Sequence, residues 1–136
     1  MARQHLAIFL KSGAEKILRG EKQVEIRLSQ SRIPPYGVIC KGDEIYLKDA
    51  GGLVTGKVIV ENVLFYDSLT PEMIGNIRRE YAEVSRLNDD FWQFKAQARY
   101  ASIIFLKTPR QFLTPFAFHK NDRRGWLVFE ENLRLL

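Results

Sequence analysis

The residues best suited to chemistry lie in one short charged stretch, residues 20–27, which reads Gly-Glu-Lys-Gln-Val-Glu-Ile-Arg. A lysine beside a carboxylate can act as a general base with its orienting partner, provided that burial or nearby cations lower the pKa of the lysine. The same pair can form a static anchor for a ligand. The stretch supplies Lys22, Glu25 and Arg27 for either chemistry, and an internal ion pair between Glu25 and Arg27 is a further alternative.

The alternation of polarity in this stretch predicts a short strand. Val24 and Ile26 would point to one face, because side chains alternate along a strand. Gln23, Glu25 and Arg27 would then point to the other face. A core against the apolar face therefore leaves a polar row on the opposite face, and the lysine stands at the entrance of the strand beside that row.

A strand and a helix are predicted to precede and deliver this stretch. Residues 5–10 form an apolar run of the length of a buried strand. Ser12 and Glu15 stand three positions apart, which predicts a capping box at the start of a helix. Gly20 is predicted to end that helix.

The rest of the chain is predicted to form strands, with two consecutive helices inserted between them. The predicted elements are a loop at 28–40, a strand at 44–48, a hairpin loop at 49–53, a long strand at 54–66, helices from 70 and from 88, a strand from 100 and a closing strand at 125–129. Asn62 inside the long strand predicts a bend or bulge. In the second helix, Phe91, Phe94 and Ala98 are predicted to form the apolar stripe. Trp92, one residue off it, would be a packed cover or a stacking platform.

Two further places could meet a ligand. The loop at 28–40 carries Arg32 and Tyr36, and a guanidinium near an exposed aromatic ring suits base stacking and contact with phosphate. Tyr36 would equally serve to cover the end of a barrel. Gly51 and Gly52 would let a ligand approach main-chain donors, or would only satisfy positive backbone dihedrals.

The stretch at 20–27 fits the pattern GxKxxExR, and here the chain resembles the ASCH family, whose fold is similar to that of PUA domains. The resemblance extends from about His5 to about Phe129 and includes residues 42–48 and 56–58. It implies an α+β fold, a PUA-like mixed β-barrel of about five to six strands with peripheral helices. It also implies a single domain over residues 1–136.

The resemblance implies a module that binds RNA or a modified nucleoside in a basic cleft around the motif. The residues expected to bind the ligand are Gly20, Lys22, Glu25, Arg27, Arg32, Tyr36, Gly51 and Gly52. The alternative is a hydrolase, an RNase or an amidohydrolase, acting on RNA or a modified nucleoside with Lys22 and Glu25 as catalytic residues. ASCH relatives include an amidohydrolase of N4-acylated cytidines built around lysine, threonine and glutamate. Lys22 matches its lysine, whereas Glu25 stands in the place of its threonine. A third alternative is a protein–protein adaptor in which the motif is structural.

Composition bounds these functions. The chain has 136 residues, 46% of them hydrophobic, as is ordinary for one soluble domain, and its net charge of +5 favours anionic partners. With Cys40 as the single cysteine, no intrachain disulfide is expected. His5 and His119, far apart and without cysteine companions, predict no zinc site, and no other cofactor is expected. No signal peptide or apolar run of about 20 residues is apparent, so a cytoplasmic protein without a membrane span is expected, of undetermined oligomeric state.

Overall fold

The computed structural model describes residues 2–119 and 123–129. The elements are β1 (Gln4–Phe9), α1 (Gly13–Leu18), β2 (Val24–Ser29), β3 (Glu44–Asp49), β4 (Val54–Tyr66), α2 (Pro71–Ser85), α3 (Asp89–Phe94), β5 (Tyr100–Phe116) and β6 (Trp126–Phe129). The predicted α+β class is confirmed, with α2 and α3 inserted between strands.

The strands form one six-stranded sheet in the order β2-β5-β4-β3-β1-β6. Only β1 and β3 pair in parallel, and the other neighbours are antiparallel. The sheet curls into a half-barrel with β2 and β6 at its edges, which confirms the predicted PUA-like mixed architecture. The register of β4 against β5 shifts between Val60 and Asn62, so the predicted bulge is present and bends the strand.

Apolar side chains cover both faces of the sheet. The face called here the inner face packs against α1, and its buried residues include Ala7, Ala14, Ile17, Leu47, Val58 and Ile104. The opposite, outer face is covered by α2 and α3 over β2 and β5, where Val24, Ile26, Ile74, Ile77, Trp92 and Ile103 pack together. A slip of β2 by one residue would exchange its apolar and charged side chains between these faces, so burial fixes the register of the strand.

The start of α1 differs from the prediction. The Ser12 side chain makes no capping hydrogen bond, and Ser12 has a left-handed backbone with φ of 61° instead of the extended conformation of an N-cap. The Ala14 N–H donates instead to the carboxylate Oδ1 of Asp49, at 2.8 Å. The predicted capping box is therefore wrong, because a carboxylate from β3 replaces the local cap.

The stripe predicted for α3 is wrong at Phe94. Asn88 caps the helix as expected, accepting from the Phe91 N–H at 3.0 Å. However, Trp92 is buried at 5% exposure, whereas Phe94 is 83% exposed. Phe91 and Ala98 pack in the outer-face core as predicted, and Trp92 packs there as a cover, which leaves Phe94 exposed at the end of a helix of six residues.

Candidate functional site

The charged residues of β2 point into the half-barrel. Glu25 pairs with Ile104 of β5, and Arg27 pairs with Ser102. Paired residues on neighbouring strands point to the same face, and Ile104 belongs to the inner core. The alternation predicted for the strand is thus present, and its polar row lies on the inner face.

Lys22 lies at the entrance of β2 and is only 3% exposed. Its Nζ donates to the Ser85 carbonyl at the end of α2 and to Oε1 of Glu25, the latter at 2.9 Å. The end of α1 positions it, since the Lys22 N–H donates to the Lys16 carbonyl at 3.1 Å. Gly20 has a φ of 79°, which glycine adopts without strain, so it allows the chain to leave the helix towards Lys22.

Glu25 is 4% exposed and forms the centre of the charged cluster. Its Oε1 accepts from Lys22 and from the Ile26 N–H at 3.1 Å, while Oε2 accepts from Nε of Arg27 at 2.7 Å. Burial on its own raises the pKa of the Glu25 carboxyl. The charges and hydrogen bonds of Lys22 and Arg27 outweigh burial together and hold this pKa below its ordinary value. We call Lys22, Glu25 and Arg27 the ion triad.

Arg27 joins the two edges of the sheet. Its guanidinium donates to the Ile8 carbonyl of β1 at 3.1 Å and to the Gly125 carbonyl, just before β6, at 3.2 Å. The same group lies 5.1 Å from the ring centroids of Phe9 and Trp126, within cation–π range. The Arg27 side chain is 23% exposed, which makes it the most accessible member of the ion triad.

A second cluster lies where β4 ends and β5 begins. The ring of Tyr36 meets those of Phe65 and Tyr100 in T-shaped contacts, with centroids 5.3 and 5.1 Å apart. The Arg32 guanidinium lies 5.4 Å from the Tyr100 ring centroid. The structure therefore places the predicted ligand residues Arg32 and Tyr36 together with two aromatic residues that sequence reasoning did not include. We call these four residues the aromatic mouth.

No family model matches the chain, and no curated protein matches it. Solved structures do match it. The ASCH protein from Zymomonas mobilis superposes with a TM-score of 0.72 at 14% identity, covering 94% of this chain and 88% of that chain. The chain has the ASCH domain fold. A mutant of the same Zymomonas mobilis protein gives a TM-score of 0.73 at 14% identity, covering 94% of this chain and 89% of that chain. A structure described as that of a hypothetical protein gives 0.50 at 22% identity, over 76% of this chain and 96% of that chain.

In this ASCH fold, a buried chain of hydrogen bonds holds the Trp126 ring that Arg27 contacts. The Trp126 indole N–H donates to Nδ1 of His5 at 3.0 Å, and Nε2 of His5 lies 2.8 Å from Oδ2 of Asp43. Two backbone N–H groups also donate to the Asp43 carboxylate. Because Nδ1 accepts from the indole, the His5 proton is assigned to Nε2. Sequence reasoning missed this chain, since its members are far apart along the sequence.

Two more polar groups approach the ion triad of the ASCH fold and were also missed. Lys95 follows α3 and is half-buried; burial lowers its pKa, and the positive charge of Arg27 lowers it further. Ser102 is buried on the inner face beside Arg27, and its Oγ has no hydrogen-bond partner among the described residues. The spacing of polar residues in the motif does not predict either residue, because both lie far from the motif along the sequence.

Gly51 and Gly52 form the turn between β3 and β4. Gly51 has a φ of 78°, and the Gly52 N–H donates to the Asp49 carbonyl at 2.8 Å. The Ala50 N–H before them donates to the carbonyl of Phe9, whose ring contacts Arg27. The turn is thus linked to the ion triad through the Phe9 ring, and the role of its glycines as donors to a ligand stays a prediction.

Within residues 2–119 and 123–129, no group of three or more histidine, cysteine, aspartate or glutamate side chains is arranged to hold a metal ion. None of the helices in this part of the chain combines the length and the apolar character needed to cross a membrane.

Proposed function

We propose that the chain is a module that binds RNA or a modified nucleoside in a basic cleft around the ion triad. The observation that carries this proposal is the imbalance of charge at the site. Buried Lys22 and half-buried Arg27 are paired with Glu25, the one acid that bonds to them among the described residues, and the positive charge of half-buried Lys95 lies near enough to Arg27 to repel it. Uncompensated positive charge in a poorly hydrated region favours an anion such as phosphate.

The ion triad has donors left for such a ligand. The described bonds of the Lys22 ammonium and the Arg27 guanidinium leave N–H groups on both. A ligand would meet Arg27 first, as the most exposed of the three. Lys22 would then contact phosphate or a polar base edge, and Glu25 would orient both cations or accept from a base. Main-chain N–H groups of the predicted glycines, at 20, 51 and 52, would add donors.

A hydrolase acting on RNA or a modified nucleoside is the second candidate, and Ser102 is the observation that favours it. The buried Ser102 hydroxyl beside Arg27 has no hydrogen-bond partner among the residues that the structure describes, which leaves it for a reacting group. Against this, the Nζ of Lys22, the predicted general base, is buried and donates two hydrogen bonds. A general base works best with a pKa near the operating pH, and the lowered pKa of Glu25 makes its carboxylate a weak base in place of the lysine. Both of its oxygens already accept hydrogen bonds. We therefore place binding before hydrolysis.

The test is a binding titration with a fluorescein-labelled pool of short RNAs, over salt from about 50 to about 200 mM, for wild-type, Lys22→Met, Glu25→Gln and Lys95→Gln proteins. Lys95→Gln is the sharpest variant, because within the described part of the chain Lys95 contacts the exposed Phe94 ring and forms no ion pair. We expect it to weaken binding and to reduce the slope of log affinity against log salt by about 1. Arg19→Gln is the matched control, since it also removes one positive charge but lies on α1 beside Glu15 and Glu21.

Gel analysis of the same samples distinguishes the candidates. Intact RNA with salt-dependent binding that the site variants lose supports the binding module. Shortened or altered RNA with wild-type protein alone supports the hydrolase. Equal behaviour of all five proteins contradicts both and leaves the motif as a structural feature of an adaptor.

A further inference from the structure

The aromatic mouth brings an exposed phenylalanine ring, two half-buried tyrosine rings and an exposed guanidinium together at one end of the half-barrel. Phe65 is 38% exposed although its register position is on the inner face, opposite Ser102 of β5. Tyr36 packs against it from the loop between β2 and β3, and Arg32 at the start of that loop is exposed. Aromatic surface left open beside a cation is costly for a soluble protein unless a ligand or partner covers it.

Arg32 is exposed, and its guanidinium lies 5.4 Å from the Tyr100 ring centroid. A hydrogen bond to the Tyr100 side chain and the charge of that side chain raise the pKa of Arg32. Nucleobases stack on arginine planes as well as on aromatic rings, so Arg32 can meet a base that approaches the aromatic mouth.

The loop that carries these residues is held by backbone hydrogen bonds. The Tyr36 N–H donates to the Ile33 carbonyl at 3.0 Å, and the Val38 N–H donates to the Pro35 carbonyl at 3.1 Å. The guanidinium of Arg3 donates to the Val38 carbonyl at 3.0 Å and ties the loop to the start of β1. A ligand would thus meet rings that are already ordered, which reduces the entropic cost of binding.

The aromatic mouth lies on the same face as the ion triad. Phe65 pairs with Ser102, and Ser102 pairs with Arg27, so the three residues form one row across β4, β5 and β2. Two inter-strand spacings separate the ends of this row by about 10 Å. A ligand with a base at one end and a phosphate at the other can therefore contact both places at once.

From these observations we propose that the aromatic mouth binds an unpaired RNA base, and that the ligand of this site is single-stranded RNA rather than a duplex or a free nucleoside. This inference rests on the proposed function and specifies its ligand. A base inside a duplex is stacked between its neighbours and cannot reach Arg32 or Tyr36, whereas a splayed base can. A free nucleoside lacks the phosphate that would meet Arg27.

The experiment compares one labelled RNA of about 12 nucleotides in three forms, as a single strand, annealed to its complement, and with abasic sites in place of its bases. The variants are Tyr36→Leu and Phe65→Leu, which keep apolar volume and remove the ring. Tyr66→Leu is the control, because Tyr66 is as exposed as Phe65, at 37%, but its register position opposite Ala101 is on the outer face. Urea unfolding of each variant establishes that it is folded.

We expect wild-type protein to prefer the single strand to the duplex, and each mouth variant to bind the single strand about 5- to 100-fold more weakly. Tyr66→Leu should match wild-type protein, and abasic RNA should bind wild-type and Tyr36→Leu proteins equally. The inference is overturned, with the proposed function intact, if wild-type protein binds RNA and the mouth variants bind it just as well, or if the duplex binds as tightly as the single strand. It is also overturned if the mouth variants change only self-association in sedimentation, which would make the aromatic mouth a protein interface. Absence of RNA binding by wild-type protein overturns the inference and the proposed function together.

Discussion

Glu25 is a buried carboxylate whose ionised form depends on the two cations beside it. Because its pKa is lowered in the folded protein, the unfolded chain binds a proton at this residue at a higher pH than the folded protein does. The resulting stabilisation is fully present above the ordinary glutamate pKa of about 4.3. It is lost as the pH falls from there through the lowered pKa of the folded protein.

The Glu25→Gln variant tests this coupling. At neutral pH we expect it to lose about 3 kcal/mol of unfolding free energy, since Lys22 and Arg27 then lack their counter-charge in a buried site. Between about pH 4.5 and pH 3, its stability should fall less steeply than that of wild-type protein. Urea unfolding at a series of pH values measures both effects.

Glu15→Gln is the control for this titration. Glu15 is exposed and pairs with Arg19 on the surface of α1, so we expect a change within about 0.5 kcal/mol and an acid dependence close to that of wild-type protein. Parallel pH profiles for wild-type and Glu25→Gln proteins would mean that the ionisation of Glu25 does not contribute to acid stability.

At the scale of elements, α1 depends on a residue of another element for its start. Asp49→Ala removes the carboxylate that accepts from the Ala14 N–H and should lower the unfolding free energy by about 1 kcal/mol. Ser12→Ala should leave it unchanged, because the Ser12 side chain makes no capping bond. Thermal unfolding of the two variants decides between a distant cap and a local one. A larger loss of unfolding free energy in Ser12→Ala than in Asp49→Ala would show that Ser12 caps the helix.

A glycine in β4 sets how closely α1 and β5 approach that strand. A Cβ at Gly56 would lie 2.5 Å from the Arg110 carbonyl oxygen and 2.7 Å from Cδ2 of Leu18. We expect Gly56→Ala to lose about 2 kcal/mol of unfolding free energy, since the backbone must shift. Gly75→Ala on α2 should instead gain about 0.5–1 kcal/mol, because its Cβ meets nothing closer than 3.5 Å and alanine favours a helix. If β4 is as closely approached as described, urea unfolding will give changes in unfolding free energy of opposite sign for the two variants.

At the scale of the whole molecule, Arg27 closes the gap between the first and last strands of the sheet order. A lysine keeps the charge but cannot donate to Glu25 and to the carbonyls of Ile8 and Gly125 together. Arg27→Lys should therefore lose about 2 kcal/mol of unfolding free energy. Its amide hydrogen exchange should rise first in β2 and β6 and only later in β3 and β4.

The matched control for closure is Arg19→Lys, which alters a surface arginine with two exposed acidic partners and should stay within about 0.5 kcal/mol. A uniform rise of exchange over all strands in Arg27→Lys would show that Arg27 contributes to general stability and not to closure of the edges.

The local features of the sequence predicted the elements and the polar row of β2 well, because alternation and turn residues act over a few positions. Val24 and Ile26 were enough to separate the two faces of β2. The partners of the polar row were harder to predict, since Arg27 donates to the Gly125 carbonyl, almost a hundred positions away. Asp49 as the cap of α1 shows the same limit: a partner from another strand leaves no local pattern.

The surroundings of the candidate site could not be predicted for a related reason. Ser102 and Lys95 approach the motif only because β5 pairs with β2 and α3 precedes β5. Trp92 and Phe94 differ by two positions in one short helix, and which of them is buried depends on how α3 sits on α2. Packing between elements decides these contacts, and the spacing of apolar residues does not encode it.

The pairing of β1 with β6 has a consequence for the order in which the protein forms on the ribosome. Residues 13–116 contain α1, α2, α3 and four strands of the described sheet, so these can assemble before β6 has been translated. The side of β1 that receives β6 stays unpaired with it until Trp126–Phe129 has emerged, and the Trp126 indole cannot donate to His5 before then. The strand position beside β1 is thus unfilled while residues 13–116 are translated, and β6 fills it afterwards.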